Sequence, residues 1–198
     1  MSLRRFRHLC VFCGSSAGHD PVYARTAREV GRLLAHEGIG VVYGGGRIGM
    51  MGAVAEAALA AGGTVLGIIP EALMRSEIAF QGLTELRVVR SMHERKQMMA
   101  DAADGFLALP GGFGTFEEFC EILTWAQLGI HAKPCGLLNV SGYYDPLIAM
   151  FDRAVAEGFV RERHRALMVA DSDPERLLAA MARFEAGATE PLLAPENA

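Results

Sequence analysis

Pro110-Gly111-Gly112-Phe113-Gly114-Thr115-Phe116-Glu117-Glu118-Phe119 holds the densest set of residues in this chain that could do chemistry. Three glycines leave backbone N–H groups unshielded by side chains, and a helix opening there adds the partial positive charge of its N-terminus, so the turn suits an anion. Glu118 stands just behind it. Thr115-Phe116-Glu117-Glu118 also reads as a capping box, in which Glu118 only ties down the helix start. The functional alternative is a carboxylate kept ionised by the helix dipole. Beside a sugar, such a group could stabilise an oxocarbenium-like transition state and orient or activate a water.

A second capping-box pattern, Ser91-Met92-His93-Glu94, places Arg95 and Lys96 in the first turn of another helix. A guanidinium there opposes the dipole of its own helix, which points to a compensating anion such as a ligand phosphate. Gly14-Ser15-Ser16 and Gly44-Gly45-Gly46 are further small-residue turns. Gly44 to Gly49 matches G-x-G-x-x-G, with Glu71 near the end of the next strand where a ribose-binding acid would sit, so a dinucleotide is a competing ligand. Against it, the motif occupies the second βα turn rather than the first, and glycines are common wherever a backbone bends sharply. There is no G-x-x-x-x-G-K-S/T phosphate loop, and His93-Glu94-Arg95-Lys96-Gln97 has Gln97 where H-E-x-x-H needs its second zinc ligand. Cys10-Val11-Phe12-Cys13 spells C-x-x-C within an apolar strand, where residues three apart face opposite ways, so both thiols are expected to be buried and inert. Met50-Met51 and Met98-Met99 read as core or interface filler.

The elements that must position these turns alternate between strand and helix. Strands are expected at Leu9–Cys13, Gly40–Tyr43, Thr64–Ile69, Leu86–Val89, Asp104–Leu109, Pro134–Leu138 and Ala166–Val169. Helices are expected at Asp20–Glu37, from Gly46 to about Ala61, from Met92 to about Ala100, and at Phe116–Leu128, Asp145–Glu157 and Pro174–Phe184, with a short helix and loop over 71–83. The pattern specifies a doubly wound α/β fold, a parallel sheet with helices on both faces. All three glycine turns then lie at the carboxyl ends of strands, where open sheets bind ligands.

With 198 residues, 51% hydrophobic and 21% charged, the chain has the size of one domain, expected over residues 1–186, with a mobile tail at 187–198. A net charge of -4 without a basic stripe argues against a nucleic-acid polymer or an anionic membrane as partner. No apolar run approaches the roughly 20 residues of a membrane span and no signal-peptide core opens the chain, so a cytoplasmic protein is expected. Four scattered cysteines give no disulfide framework.

Met92-His93-Glu94-Arg95-Lys96 and Pro110-Gly111-Gly112-Phe113-Gly114-Thr115-Phe116-Glu117-Glu118, in that order, closely resemble the signature pair of the LONELY GUY family. These are cytokinin riboside 5′-monophosphate phosphoribohydrolases, often mislabelled lysine decarboxylases. The resemblance implies a Rossmann-like homodimer, working without cofactor or metal, that cleaves the N-glycosidic bond of AMP or an N6-modified relative to free base and ribose 5-phosphate. By the motif match, Arg95 and Glu118 are the catalytic pair, and Lys96, Gly112, Phe113, Gly114, Thr115 and Glu117 contact the nucleotide. Glu77 and Thr124 stand at further substrate contacts, and Ser15 and Gly45 line the phosphate end. Thr124 is one to two helical turns from Glu121 and Glu117 and is expected to face the same cleft. Ile78-Ala79-Phe80-Gln81 is bulkier than the family pattern, which leaves the choice of base open. The only lysines, Lys96 and Lys133, stand in no context that predicts a pyridoxal Schiff base. A non-catalytic nucleotide or cofactor carrier on the same frame would keep the glycine turns without needing Glu118 and Arg95, and an NAD-dependent oxidoreductase is a third alternative.

Overall fold

A computed structural model describes residues 6–74 and 78–185; the expected tail at 187–198 lies outside these, as does Glu77. Within the described residues, seven short runs form the strands β1 (His8–Phe12), β2 (Gly40–Tyr43), β3 (Val65–Pro70), β4 (Glu85–Val89), β5 (Phe106–Ala108), β6 (Cys135–Leu138) and β7 (Met168–Asp171), all largely apolar but the edge strand β4. They pair in one sheet in the order β4-β3-β2-β1-β5-β6-β7, parallel throughout. Cys10 of β1 pairs with Val42 on one side and Phe106 on the other. The helices are α1 (Pro21–His36), α2 (Gly49–Ala60), α3 (Met92–Ala102), α4 (Phe113–Leu128), α5 (Asp145–Ala156), α6 (Glu162–Arg165) and α7 (Pro174–Arg183).

Local chemistry explains several of these boundaries. Asp20 caps α1, its carboxylate accepting from the Val22 amide at 2.8 Å with Pro21 next, and Asp173 caps α7 in the same way ahead of Pro174. Gly129, in the left-handed conformation at φ 78°, ends α4. Strand alternation divides the core into two layers. Leu9, Val11 and Cys13 pack with Val30, Leu34, Val54 and Met181, which belong to α1, α2 and α7. Cys10 and Phe12 pack with Met99, Phe119, Ile122 and Tyr144 on the side of α3, α4 and α5. The two cysteines of the C-x-x-C therefore lie in opposite layers, as the strand period requires, and burial pushes both thiols well above their ordinary range.

Several boundaries differ from the sequence reading. α4 opens at Phe113, not Phe116, because Gly111 and Gly112 alone make the reversal and leave Gly114 free to be helical. The Thr115 capping box therefore does not exist: Gly112 is the N-cap, the Phe116 amide donates to the Gly112 carbonyl at 3.1 Å, and Glu118 lies in the second turn. β7 starts at Met168 rather than Ala166, since α6 forms first and takes Ala166 as its C-cap. β5 shortens to Phe106–Ala108.

Strand order reverses between β1 and β5. From β1 the chain winds outward through β2, β3 and β4; from β5 it winds the other way through β6 and β7. The loops leaving β1 and β5 consequently diverge and open a crevice at the carboxyl edge of the sheet.

Candidate active site

The turns that follow β1, β2 and β5 meet at this crevice, and protein donors hold their carbonyl groups. The Gly14 amide donates to the Pro110 carbonyl at 3.1 Å, joining the end of β1 to the turn after β5. Gly14's own carbonyl accepts from the Met50 and Met51 amides at 3.1 and 3.3 Å. Beyond β2, the Gly44 carbonyl accepts from Arg95 Nη2 (3.1 Å), that of Gly45 from the Phe80 amide (2.9 Å) and that of Gly46 from the Tyr43 hydroxyl (3.0 Å). Beyond β5, the Leu109 and Gly111 carbonyls accept from the hydroxyls of Tyr144 (2.6 Å) and Tyr143 (2.5 Å). Between these turns lies a cleft of about 320 Å³, lined by Ser15, Gly111, Gly112, Tyr23, Met50 and Tyr143. Its size falls at the lower end of small-molecule sites, about 300–1,000 Å³. The first amides of α4 have no carbonyl of their own helix to bond, and they follow directly on Gly112.

This arrangement counts against the dinucleotide reading of Gly44 to Gly49. A dinucleotide fingerprint needs the first amides of its helix to face a pyrophosphate. In α2 two of them are spent on Gly14, and Gly49, at φ 61°, is packed so tightly on the Ser15 backbone that no side chain fits there.

Arg95 and Glu118 approach the crevice from two different helices. Ser91 caps α3, its Oγ accepting from the Glu94 amide at 3.1 Å, while the Glu94 carboxylate accepts from the Arg90 amide at 2.8 Å. One residue further on, Arg95 turns under the β2 loop, only 5% exposed. Its guanidinium fills the space a Gly44 side chain would need: a Cβ at Gly44 would stand 3.1 Å from Arg95 Cζ and closer still to Nη2. Glu118 is half-buried on α4. Both charges are felt at one buried thiol in the middle of β1. Beyond the effect of burial, Glu118 raises and Arg95 lowers the pKa of the Cys10 thiol, and Glu118 also raises that of Cys13. A carboxylate of α4 and a guanidinium of α3 thus both act on β1.

Lys96 braces the two helices. Its ammonium lies 2.7 Å from a Glu117 oxygen and 2.8 Å from one of Glu121. Burial works against its charge, yet the two carboxylates hold its pKa above the ordinary lysine value. Thr115 is buried at 4% exposure against Gly111, where a side chain would strike its Oγ1. Gly112 and Gly114 have open space on their Cβ side, and Phe113 projects into solvent, 92% exposed.

The structure brings Ser15 and Gly112 together in the cleft, holds Arg95 under the β2 loop and sets Glu118 half-buried on α4. Gly45 instead lies buried at φ 79° against Ile69 and Leu86. Thr124 does not share the cleft: its hydroxyl donates to the Cys120 carbonyl at 2.8 Å, and it lines a separate groove of about 160 Å³ with Leu123, Phe151 and His164. Sequence reasoning missed Tyr23, Tyr143, Tyr144 and Glu121. The two adjacent tyrosines follow β6, at the same carboxyl edge, and would have been found by applying the edge rule to every strand rather than to glycine turns alone. Among the described residues, no group of three or more His, Cys, Asp or Glu side chains is placed to hold a metal ion.

Residues 51–181 match the family described as "possible lysine decarboxylase". A cytokinin riboside 5′-monophosphate phosphoribohydrolase of Arabidopsis thaliana is 48% identical over 181 residues, covering 91% of this chain and 83% of that protein. One from Oryza sativa subsp. japonica is 52% identical over 165 residues, covering 83% and 68%. Among solved structures, the molybdenum cofactor carrier protein of Chlamydomonas reinhardtii superposes with a TM-score of 0.66 at 21% identity, over 89% of this chain and 96% of that one. The molybdenum cofactor binding protein of Rippkaea orientalis gives 0.66 at 22%, over 89% and 95%. These two likenesses are of fold alone. The paired motifs around Arg95 and Glu118, with about half of all residues shared across most of the chain, mean that it belongs to the LONELY GUY family of cytokinin riboside 5′-monophosphate phosphoribohydrolases.

Proposed function

We propose that this protein hydrolyses the N-glycosidic bond of a purine nucleoside 5′-monophosphate, AMP or an N6-modified cytokinin riboside 5′-monophosphate, to free base and ribose 5-phosphate. The observation that carries this reading is a cleft lined by the glycine turns at the reversal of strand order, with Arg95 held under the neighbouring β2 loop and Glu118 on the helix that Gly112 caps. In the reaction the bond between C1′ and the base nitrogen breaks, the water oxygen joins C1′, and a water proton ends on the base. The Gly111–Gly112 turn and Ser15 hold the 5′-phosphate. Glu118, as carboxylate, faces the ribose, stabilises positive charge developing at C1′ and orients the water. Arg95 orients the nucleotide and balances charge as the base departs. Lys96 and Glu117 keep α3 and α4 in register, so that the two catalytic groups hold their spacing.

Decarboxylation through a lysine Schiff base finds no support in these side chains. Lys96 is held charged between two carboxylates, whereas a Schiff-base lysine must be neutral to attack. Lys133 donates to the Ala100 carbonyl at the end of α3 at 2.7 Å. We further propose a homodimer in the cytoplasm, paired through the groove that Thr124 lines, so that Thr124 reaches substrate only across the pair.

Incubating the protein with AMP and with N6-isopentenyl-AMP, and separating products by chromatography, tests the activity. Free base is expected, and none from a folded sample overturns the reading. Glu118→Gln is expected to lower kcat by about 10²–10⁴-fold while nucleotide still binds in calorimetry. A carrier would lose nothing by that substitution.

A further inference from the structure

Tyr143 and Tyr144 are adjacent in sequence, and their hydroxyls hold carbonyls on either side of Pro110. The 3₁₀ turn at Val140–Gly142 presents them, with Ser141 in the left-handed region at φ 51°. Asn139 fixes that turn: its side chain accepts from the Tyr144 amide at 2.7 Å and donates to Asp145 at 2.6 Å. The Tyr143 ring is held edge-on to Tyr23, with centroids 5.7 Å apart, and lies nearly parallel to Phe116 at 6.5 Å.

The two hydroxyls do different things because of what their peptides carry. In a trans peptide the C=O and N–H point in opposite directions, so a donor that holds the carbonyl also aims the amide. The Leu109 carbonyl belongs to a peptide whose nitrogen is that of Pro110, which has no hydrogen. Tyr144 therefore aims nothing; it satisfies a buried oxygen. The Gly111 carbonyl belongs to the peptide that carries the Gly112 amide, between two residues free enough in φ and ψ for that peptide to turn over. Its hydrogen bond with Tyr143 holds it in one sense. Burial, with a contribution from Tyr23, pushes the Tyr143 hydroxyl above its ordinary pKa, so it stays a donor at neutral pH.

We propose that Tyr143 is a positioning residue for the 5′-phosphate: by holding the Gly111 carbonyl it aims the Gly112 amide at the anion, and so it favours phosphorylated substrate over free nucleoside. The inference rests on the phosphoribohydrolase reading for its ligand, and its test is one of binding. Tyr143→Phe keeps the ring and its stacking and removes only the donor. Calorimetry should show about tenfold weaker binding of ribose 5-phosphate, the loss of one well-placed hydrogen bond. For AMP, KM should rise by a similar factor with kcat within about threefold. Tyr144→Phe should lower the melting temperature and leave ribose 5-phosphate affinity unchanged. Equal affinity losses in the two variants, or an unchanged affinity in Tyr143→Phe, overturn the proposal. Should Tyr143→Phe fail to fold, the wild-type protein labelled with ¹⁵N-glycine serves instead: the Gly112 amide resonance must move on titration with ribose 5-phosphate, and a resonance that stays put overturns it. Wild-type protein that binds ribose 5-phosphate but releases no base would sink the enzymatic reading alone. Protein that hydrolyses AMP with Tyr143→Phe unaltered in affinity would sink this inference alone.

Discussion

Gly44 lacks a side chain where the Arg95 guanidinium needs room, and this pairing bridges 51 residues of sequence. Gly44→Ala should push the guanidinium off the Gly44 carbonyl. We expect a stability loss of about 1–3 kcal/mol, the usual cost of overpacking, measured by denaturant unfolding. A fall in kcat of more than tenfold should persist at temperatures where the variant is fully folded. Gly114→Ala is the counterpart. Its Cβ meets nothing of the protein, and alanine in a helix is favoured over glycine by about 1 kcal/mol, so the variant should melt higher. If the open face of Gly114 exists for the nucleotide, calorimetry will show weaker AMP binding in the same variant. Arg95 was legible in the sequence as a cation at an unfavourable helix position. That it also holds the Gly44 carbonyl was not, since nothing local to either residue announces the other.

α4 carries Glu118, and His131 laces it to the strand that follows. The ring donates from Nε2 to the Ile122 carbonyl at 3.0 Å and accepts at Nδ1 from the Lys133 amide at 3.1 Å, which fixes a neutral tautomer. Burial lowers its pKa to about 4, helped by the Lys133 charge and opposed by the Ile122 hydrogen bond. In the unfolded chain a histidine titrates near 6.5. Between those values the unfolded chain binds a proton that the folded one refuses, so stability is complete above about pH 6.5 and declines as pH falls toward about 4. Denaturant unfolding at pH 7 and 4.5 should show a smaller loss between the two pH values for His131→Gln than for wild type. At this scale the strand and helix order and the Ser91 cap were readable, because each is set by neighbours within a few residues. The start of α4 was not. Gly111, Gly112 and Gly114 look alike in sequence, and the packing of Thr115 and Gly14 against Gly111 comes only with the fold. The Lys96 brace to Glu121 and the tyrosine anchors were hidden for the same reason as the Arg95 contact: they join elements that the sheet brings together.

The whole molecule is set by one reversal of strand order, which places the β1 and β5 turns side by side and leaves a second groove on the α4–α5 side. Phe159 is 87% exposed next to Val160 in that groove, and Met150 next to Phe151 is exposed too. If this face pairs two copies, sedimentation equilibrium will give twice the chain mass of 21.3 kDa, and Phe159→Glu will shift it toward the monomer. A monomer at micromolar concentration would overturn the pairing.

The engaged carbonyls of the β1, β2 and β5 turns bear on how this protein can change over evolution or in the laboratory. If the glycine turns hold the phosphate, recognition there belongs to the path of the chain, and only replacement by proline deletes a backbone amide. Substitutions that retune that end must therefore act on the anchors, such as Tyr143, or on the residues that crowd Gly49 and Gly111. A deep mutational scan should find that intolerance at the phosphate end concentrates in residues that touch no ligand atom.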